Sequence, residues 1–155
     1  MKLNTIIYIP FILIAFTACK QQSEEISKDE LRRIVEEQNS LLGNNFIAGN
    51  ADNLASLYTE SAKLCPDGMN FIHGRDSIKM FWANDFKTSK TLEMKTKVFT
   101  VDGNLDIIYE TGKSSSKILY NDSIYCVTVK YINVWRKQPD GCYQLDIDFW
   151  NRCSR

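Results

Sequence analysis

Apolar residues at Leu31, Ile34, Val35, Leu41, Leu42, Phe46 and Ile47 recur close to every 3.6 positions, which predicts one long amphipathic helix. Ser27 and Glu30 precede it in a capping-box arrangement, the serine oxygen accepting from a free helix amide while the glutamate reaches back. Gly49 is a natural stop, and Asn50 can cap a shorter second helix carrying Leu54, Leu57 and Tyr58. From Ala62 to Gly74 the period breaks. Pro66-Asp67-Gly68 turns between Lys63–Cys65 and Asn70–Ile72, so a small hairpin is expected there. A third helix follows, with Ile78, Phe81, Trp82 and Phe86 on one face.

Beyond Phe86 the pattern becomes that of strands: Leu92–Val101, Leu105–Gly112, Lys117–Tyr120, Ile124–Lys137 and Cys142–Asn151. Asp102-Gly103-Asn104, Asn121-Asp122 and Pro139-Asp140-Gly141 are the turns between them, and Ser114–Ser116 interrupts the second and third. Ile124–Lys137 sets Tyr125, Val127, Val129, Tyr131 and Trp135 on one face, with Cys126, Thr128, Lys130 and Ile132 on the other. The bulkier face is expected to be buried against the helices. Helices first and an antiparallel meander after them predict an α+β domain, its helices packed on one face of a curved sheet.

The N-terminus carries an address. Lys2 supplies a positive start, Ile6 to Phe16 is an uncharged apolar run, and small residues lead to Cys19. The run falls short of the roughly 20 residues that a membrane-spanning helix needs, and has the form of a secretory signal. Residues 1–18 are thus expected to be a signal peptide, 19–27 a tether, and 28–153 one domain. The tether, Lys20 to Ile26, is polar and free of aromatics.

Nineteen basic and nineteen acidic residues cancel, which removes support for nucleic-acid binding through a basic face. Cys65, Cys126, Cys142 and Cys153 remain beside Cys19. Their even number in an exported chain permits disulfides in three connectivities, and four buried thiols are the competing reading. None has metal-ligand spacing, and the single His73 is remote from all four in sequence. The sequence points to no metal and no cofactor.

Two segments carry family resemblances. Phe16-Thr17-Ala18-Cys19 resembles the lipobox of bacterial lipoproteins, with Phe16 where leucine is preferred. That resemblance implies lipidation of Cys19 and a membrane anchor. Lys20 after the cysteine implies the outer membrane of the cell envelope. Gly49-Asn50, Leu57-Tyr58-Thr59-Glu60-Ser61-Ala62, Pro66, Gly74 and Ile78…Phe81-Trp82 stand in the order of the nuclear transport factor 2-like superfamily. Tyr131-x-x-Val134-Trp135-Arg136-Lys137, Asp140-Gly141-x-Tyr143 and Asp148-Phe149-Trp150-Asn151 resemble the ending of its SnoaL-like branch. The resemblance spans about Leu31 to Asn151. It implies a cone-shaped fold of about three helices on a curved, mostly antiparallel sheet, and a homodimer formed through the open sheet face.

Ketosteroid isomerases of that superfamily use a carboxylate base before the hairpin proline, a helix tyrosine and a sheet aspartate. By resemblance those positions fall at Cys65, Leu42 and Ile132, and all three functional types are missing. Other candidates come from the residues themselves. Asp146 and Asp148 are two apart on the last strand and are expected to share a face with Trp150. If that face lines the cone, Asp148 is a general base or a ligand acceptor; if it is outward, both carboxylates are solvated, and Asp148 can also be structural. His73 is the one histidine, the residue type used for proton transfer at neutral pH, and is either catalytic or a loop histidine bonded to backbone. Cys65 is a nucleophile only with an activating neighbour, and otherwise an inert thiol. Tyr58, Trp82, Tyr109, Trp135 and Trp150 are candidates for a pocket wall, with plain core as the rival role.

The leading expectation is a lipid-anchored envelope domain whose cone holds a small apolar or amphipathic ligand, without ketosteroid isomerase activity. An isomerase, cyclase or hydratase using Asp148 or His73 is the alternative. A protein-interaction module is the third reading, and it predicts an exposed apolar patch together with a filled cone.

Overall fold

In the computed structural model the described residues are 26–153. The expected signal peptide, the lipid site at Cys19 and most of the tether lie outside them. Helix α1 (Lys28–Ala48) begins as anticipated, with the Ser27 hydroxyl accepting from the Glu30 amide at 3.2 Å. It ends on Gly49, whose left-handed backbone (φ 63°) returns its N–H to the Phe46 carbonyl. Its buried stripe is Leu31, Val35, Asn39 and Leu42, so one polar residue sits among the apolar ones.

Helix α2 (Ala51–Ser56) is capped by the Asn50 side chain, which accepts from the Asn53 amide. It stops before Leu57 and Tyr58, which had been expected inside it. The backbone of Tyr58 instead opens strand β1 (Tyr58–Cys65), where it lies opposite Leu145, far along the chain. The anticipated hairpin is present, β1 pairing with β2 (Ile72–His73) through Lys63 opposite His73 and Leu64 opposite Ile72. Helix α3 (Arg75–Asp85) is tied to β1 at its first residue, since Arg75 Nε donates to the Tyr58 carbonyl at 2.7 Å. That contact aims Ile78 and Trp82 at the core.

Strands β3 (Ser89–Gly103), β4 (Ile107–Tyr120), β5 (Ser123–Lys137) and β6 (Tyr143–Arg152) complete a six-stranded sheet ordered β2-β1-β6-β5-β4-β3. Only the β1–β6 pairing is parallel. Ser114–Ser116 does not split β4, because each serine is paired on both sides, for instance Ser114 with Thr96 and Val129. Asn121 and Asp122, both left-handed (φ 46° and 57°), turn the chain tightly from β4 into β5. On β5 the face chosen for burial is the inner one. Tyr131 and Trp135 are buried and Val127 and Val129 half-buried, while Tyr125, near the strand's start, is exposed.

The α+β expectation therefore holds: three helices cover the concave side of a mostly antiparallel sheet, and the core lies between them. Leu31, Val35, Leu54, Ile78, Ile108 and Leu145 are almost completely buried there. Burying each such side chain contributes about 1.5–3 kcal/mol, before the cost of ordering the chain. All four cysteines in the described residues are free thiols; Cys126 and Cys142 are exposed, against the expectation of four buried thiols.

Candidate functional site in the cone

Three polar residues stand side by side across the inner face of the sheet. Glu110 on β4 is directly opposite Asn133 on β5, and Asn133 is directly opposite Asp148 on β6. All three are buried. Such a row is expensive in an apolar interior unless each group finds partners.

Glu110 finds them. Asn39 Nδ2 from α1 donates to both its oxygens at 3.0 and 2.9 Å, Trp135 Nε1 donates at 2.8 Å and the Tyr131 hydroxyl at 3.0 Å. A longer contact of 3.5 Å comes from Asn133 Nδ2. Burial pushes the Glu110 carboxyl up from its ordinary value, and these donors pull against that rise. The cluster fastens α1 to the sheet. It also requires Gly112: a β-carbon there would stand 2.5 Å from the Tyr131 hydroxyl and 2.5 Å from the Lys97 carbonyl oxygen.

Asp148 is less well compensated. The Tyr58 hydroxyl donates to its Oδ2 at 2.7 Å, and this is its one side-chain hydrogen bond among the described residues. Burial lifts the Asp148 carboxyl to about 6; the Tyr58 bond opposes that rise and the charge of Glu110 adds to it. Burial and the adjoining Asp148 carboxylate also raise the Tyr58 phenol well above its ordinary value. Two polar atoms nearby are buried without a partner, Trp82 Nε1 and Asn133 Oδ1.

A cavity of about 190 Å³ opens above this row. Leu42 and Phe46 of α1, Trp82 of α3, and Met94, Ile118 and Trp150 of the sheet supply apolar wall. Trp82 is held edge-on against Phe46 and Phe81, each 4.7 Å away between ring centroids. Ser114 and Ser116 face the same space, and their small side chains leave room that larger residues would fill.

Of the residues singled out from sequence, Asp148, Trp82 and Trp150 line this cavity. Tyr58 and Trp135 lie directly behind it, bonded to Asp148 and Glu110. The other candidates lie elsewhere. Tyr109 is exposed on the outer face because β4 alternates and its neighbour Glu110 points inward. Cys65 is at the end of β1 with its sulfur 4.0 Å from the Met69 carbonyl oxygen. His73 is exposed on the edge strand, its ring 6.1 Å from that of Phe71.

Asp146 and Asp148 do not share a face. Val134 pairs with Ile147 but Trp135 pairs with Leu145, so Asp146 is an extra residue that shifts the alternation by one. It accepts from Thr59 Oγ1 at 2.8 Å and from Arg136 at 3.0 Å, outside the cavity. Ile132, the position matched by resemblance to the isomerase aspartate, is exposed on the outer face, and its neighbours Tyr131 and Asn133 point inward. Glu110, Asn39 and Asn133 escaped the sequence reading. Their signal was there: Asn39 falls on the Leu31–Val35–Leu42 stripe, and Glu110 alternates in step with Ile108 and Gly112.

This architecture is the nuclear transport factor 2-like fold. A ketosteroid isomerase-like protein from Erwinia carotovora atroseptica superposes with a TM-score of 0.72 at 15% identity, over 83% of this chain and 100% of its own. A nuclear transport factor 2-like protein with a cystatin-like fold from Novosphingobium aromaticivorans gives 0.64 at 15% identity, over 81% and 83%. A protein from Catenulispora acidiphila, solved in complex with S-DNPA, gives 0.68 at 12% identity, over 80% and 94%. No family model and no curated protein matches the sequence. At these identities the likeness establishes the fold alone.

Proposed function

We propose that this chain is an envelope lipoprotein whose cone binds a small amphipathic molecule. The observation that carries the binding reading is the cavity itself: about 190 Å³, walled by rings and aliphatic side chains, and ending on the buried carboxyl of Asp148. An engineered apolar cavity of about 150 Å³ in another protein holds benzene, so a molecule built around one ring is of the right size. The Catenulispora neighbour in complex with S-DNPA supports the same reading by analogy of fold. The lipobox-like Phe16–Cys19 supports the anchor, with Cys19 as the lipidated residue and the outer membrane as its destination. A homodimer through the outer sheet face belongs to this proposal, supported by the exposure of Tyr109, Ile132 and Phe149.

Native mass spectrometry of the full chain, released from an envelope extract, tests the binding reading. A bound mass below a few hundred daltons that is lost in both Trp82→Ala and Trp150→Ala is the expected result. Protein carrying no such mass, with no small molecule shifting its thermal unfolding, refutes it. For the anchor, Cys19→Ala is expected to move the protein from the detergent phase to the aqueous phase in a phase-partition assay. Equal partitioning of both forms removes the lipoprotein reading.

One observation favours a second reading, catalysis. A buried carboxyl held at about 6 beside an apolar cavity is poised to take a proton from a bound substrate. Asp148 is the residue for that role. His73, remote from the cavity, is not.

A further inference from the structure

The two buried carboxylates are compensated very differently. Glu110 receives bonds from Asn39, Tyr131, Trp135 and Asn133, whereas Asp148 receives one, from Tyr58. Buried carboxylates in folded proteins are paired or hydrogen-bonded on most of their lone pairs. Trp82 Nε1, the unpaired donor in the cavity wall, makes no bond to it, so the missing donors at Asp148 are to come from what the cavity holds.

The neighbouring groups say which donors. Directly across the β5–β6 ladder, the Asn133 amide turns its nitrogen toward Glu110, an acceptor, and so presents Oδ1, a second acceptor, which is buried and unpaired. Two acceptors thus lie side by side, since residues opposite each other in an antiparallel pair have β-carbons about 5 Å apart. The charged residues lining the cavity are Asp148 and Asp85, and among the described residues no lysine, arginine or histidine lines it. A carboxylate ligand would meet like charge and no donor cation. A compact group with several N–H donors and a positive charge meets both acceptors at once. The rings of Phe46, Trp82 and Trp150 in the wall favour the same charge.

We propose that the molecule held in the cone is a small organic amine, bound as its ammonium ion between the Asp148 carboxylate and Asn133 Oδ1, with its hydrocarbon body against Phe46, Trp82 and Trp150. This rests on the ligand-binding reading above and adds the chemistry of the head group.

Four probes with one phenyl body and different heads separate the two ideas: 2-phenylethylamine, 2-phenylethanol, ethylbenzene and phenylacetate. Their binding to the full-length protein is measured by isothermal titration at about pH 8, where the amine and the carboxyl are both charged. The amine is expected to bind tightest, on the order of tenfold or more above the alcohol, as charge-assisted bonds require. Phenylacetate is expected to bind weakest. Asp148→Asn is expected to abolish the amine's advantage while leaving the hydrocarbon as before. Equal affinities for amine and hydrocarbon, a preference for phenylacetate, or an amine affinity unchanged in Asp148→Asn would each overturn the amine assignment and leave ligand binding standing. Binding of none of the four overturns both.

Discussion

Asp148→Asn should make the protein more stable at neutral pH, and the gain should vanish in acid. Burial raises the carboxyl from its ordinary 3.8 to about 6 in the folded state. Between those two values the folded protein holds a proton that the unfolded chain has released, so stability falls as pH rises through that window. At about 1.36 kcal/mol per pKa unit, the whole interval is worth about 3 kcal/mol, none of it lost below pH 3.8 and nearly all of it lost well above pH 6. Asparagine fills nearly the same space, still accepts from the Tyr58 hydroxyl, and has no charge to desolvate. Its new N–H group can reach toward the unpaired Asn133 Oδ1. Urea unfolding of both proteins from about pH 4.5 to 8 gives the difference directly, because the lowered carboxyls of Asp67 and Glu93, held by cationic neighbours, and of Asp102, held by the Gly103 amide and then Lys28, are common to both. The gap should grow from about 1 kcal/mol at about pH 4.5 to about 3 kcal/mol at about pH 8 in favour of the variant. A variant less stable than the parent at pH 8, or a gap that does not change with pH, would refute the reasoning.

Tyr58→Phe deletes the donor to Asp148, so the carboxyl should rise above about 6 in an NMR titration of its carbon resonance; an unchanged midpoint would show that the bond does not hold it. Glu110→Gln sets an N–H against a cluster of donors, and should lower stability by about 1–3 kcal/mol in urea unfolding, with a smaller loss speaking against the clamp. Gly112→Ala drives a methyl group into the Tyr131 hydroxyl and the Lys97 carbonyl, and should cost a further ~1–3 kcal/mol, visible as an earlier urea midpoint.

The helical half of the fold was legible in the sequence because its signals are local. Ser27, Gly49 and Asn50 cap where they stand, and the Leu31–Val35–Leu42 stripe needs no partner to be seen. Elements decided by distant residues were harder to read. Tyr58 leaves its helix because of Leu145, and the serine run stays extended because β3 and β5 hold it on both sides. The site was half visible for the same reason. Asp148 and the rings at 82 and 150 could be named, but one extra residue at Asp146 inverted the phase of the last strand. Glu110 hid because a charged residue on a strand is ordinarily outward, and only four donors from α1 and β5 make the inward position tolerable.

The place of β6 in the sheet has a consequence for how the molecule is made. It is the last of the six described strands in sequence yet sits in the interior of the sheet, between β1 and β5. The Tyr58–Asp148 bond joins residues 90 apart in sequence. Until residues 143–152 are available, β1 has no parallel partner, the edge of β5 is bare and the floor of the cone lacks Asp148. Closure of so long a loop is slow relative to helix formation. A chain folded only as far as β5 can therefore form α1 early but cannot shut its cavity until β6 joins the sheet. Closure of the cavity therefore waits on the docking of β6 between β1 and β5.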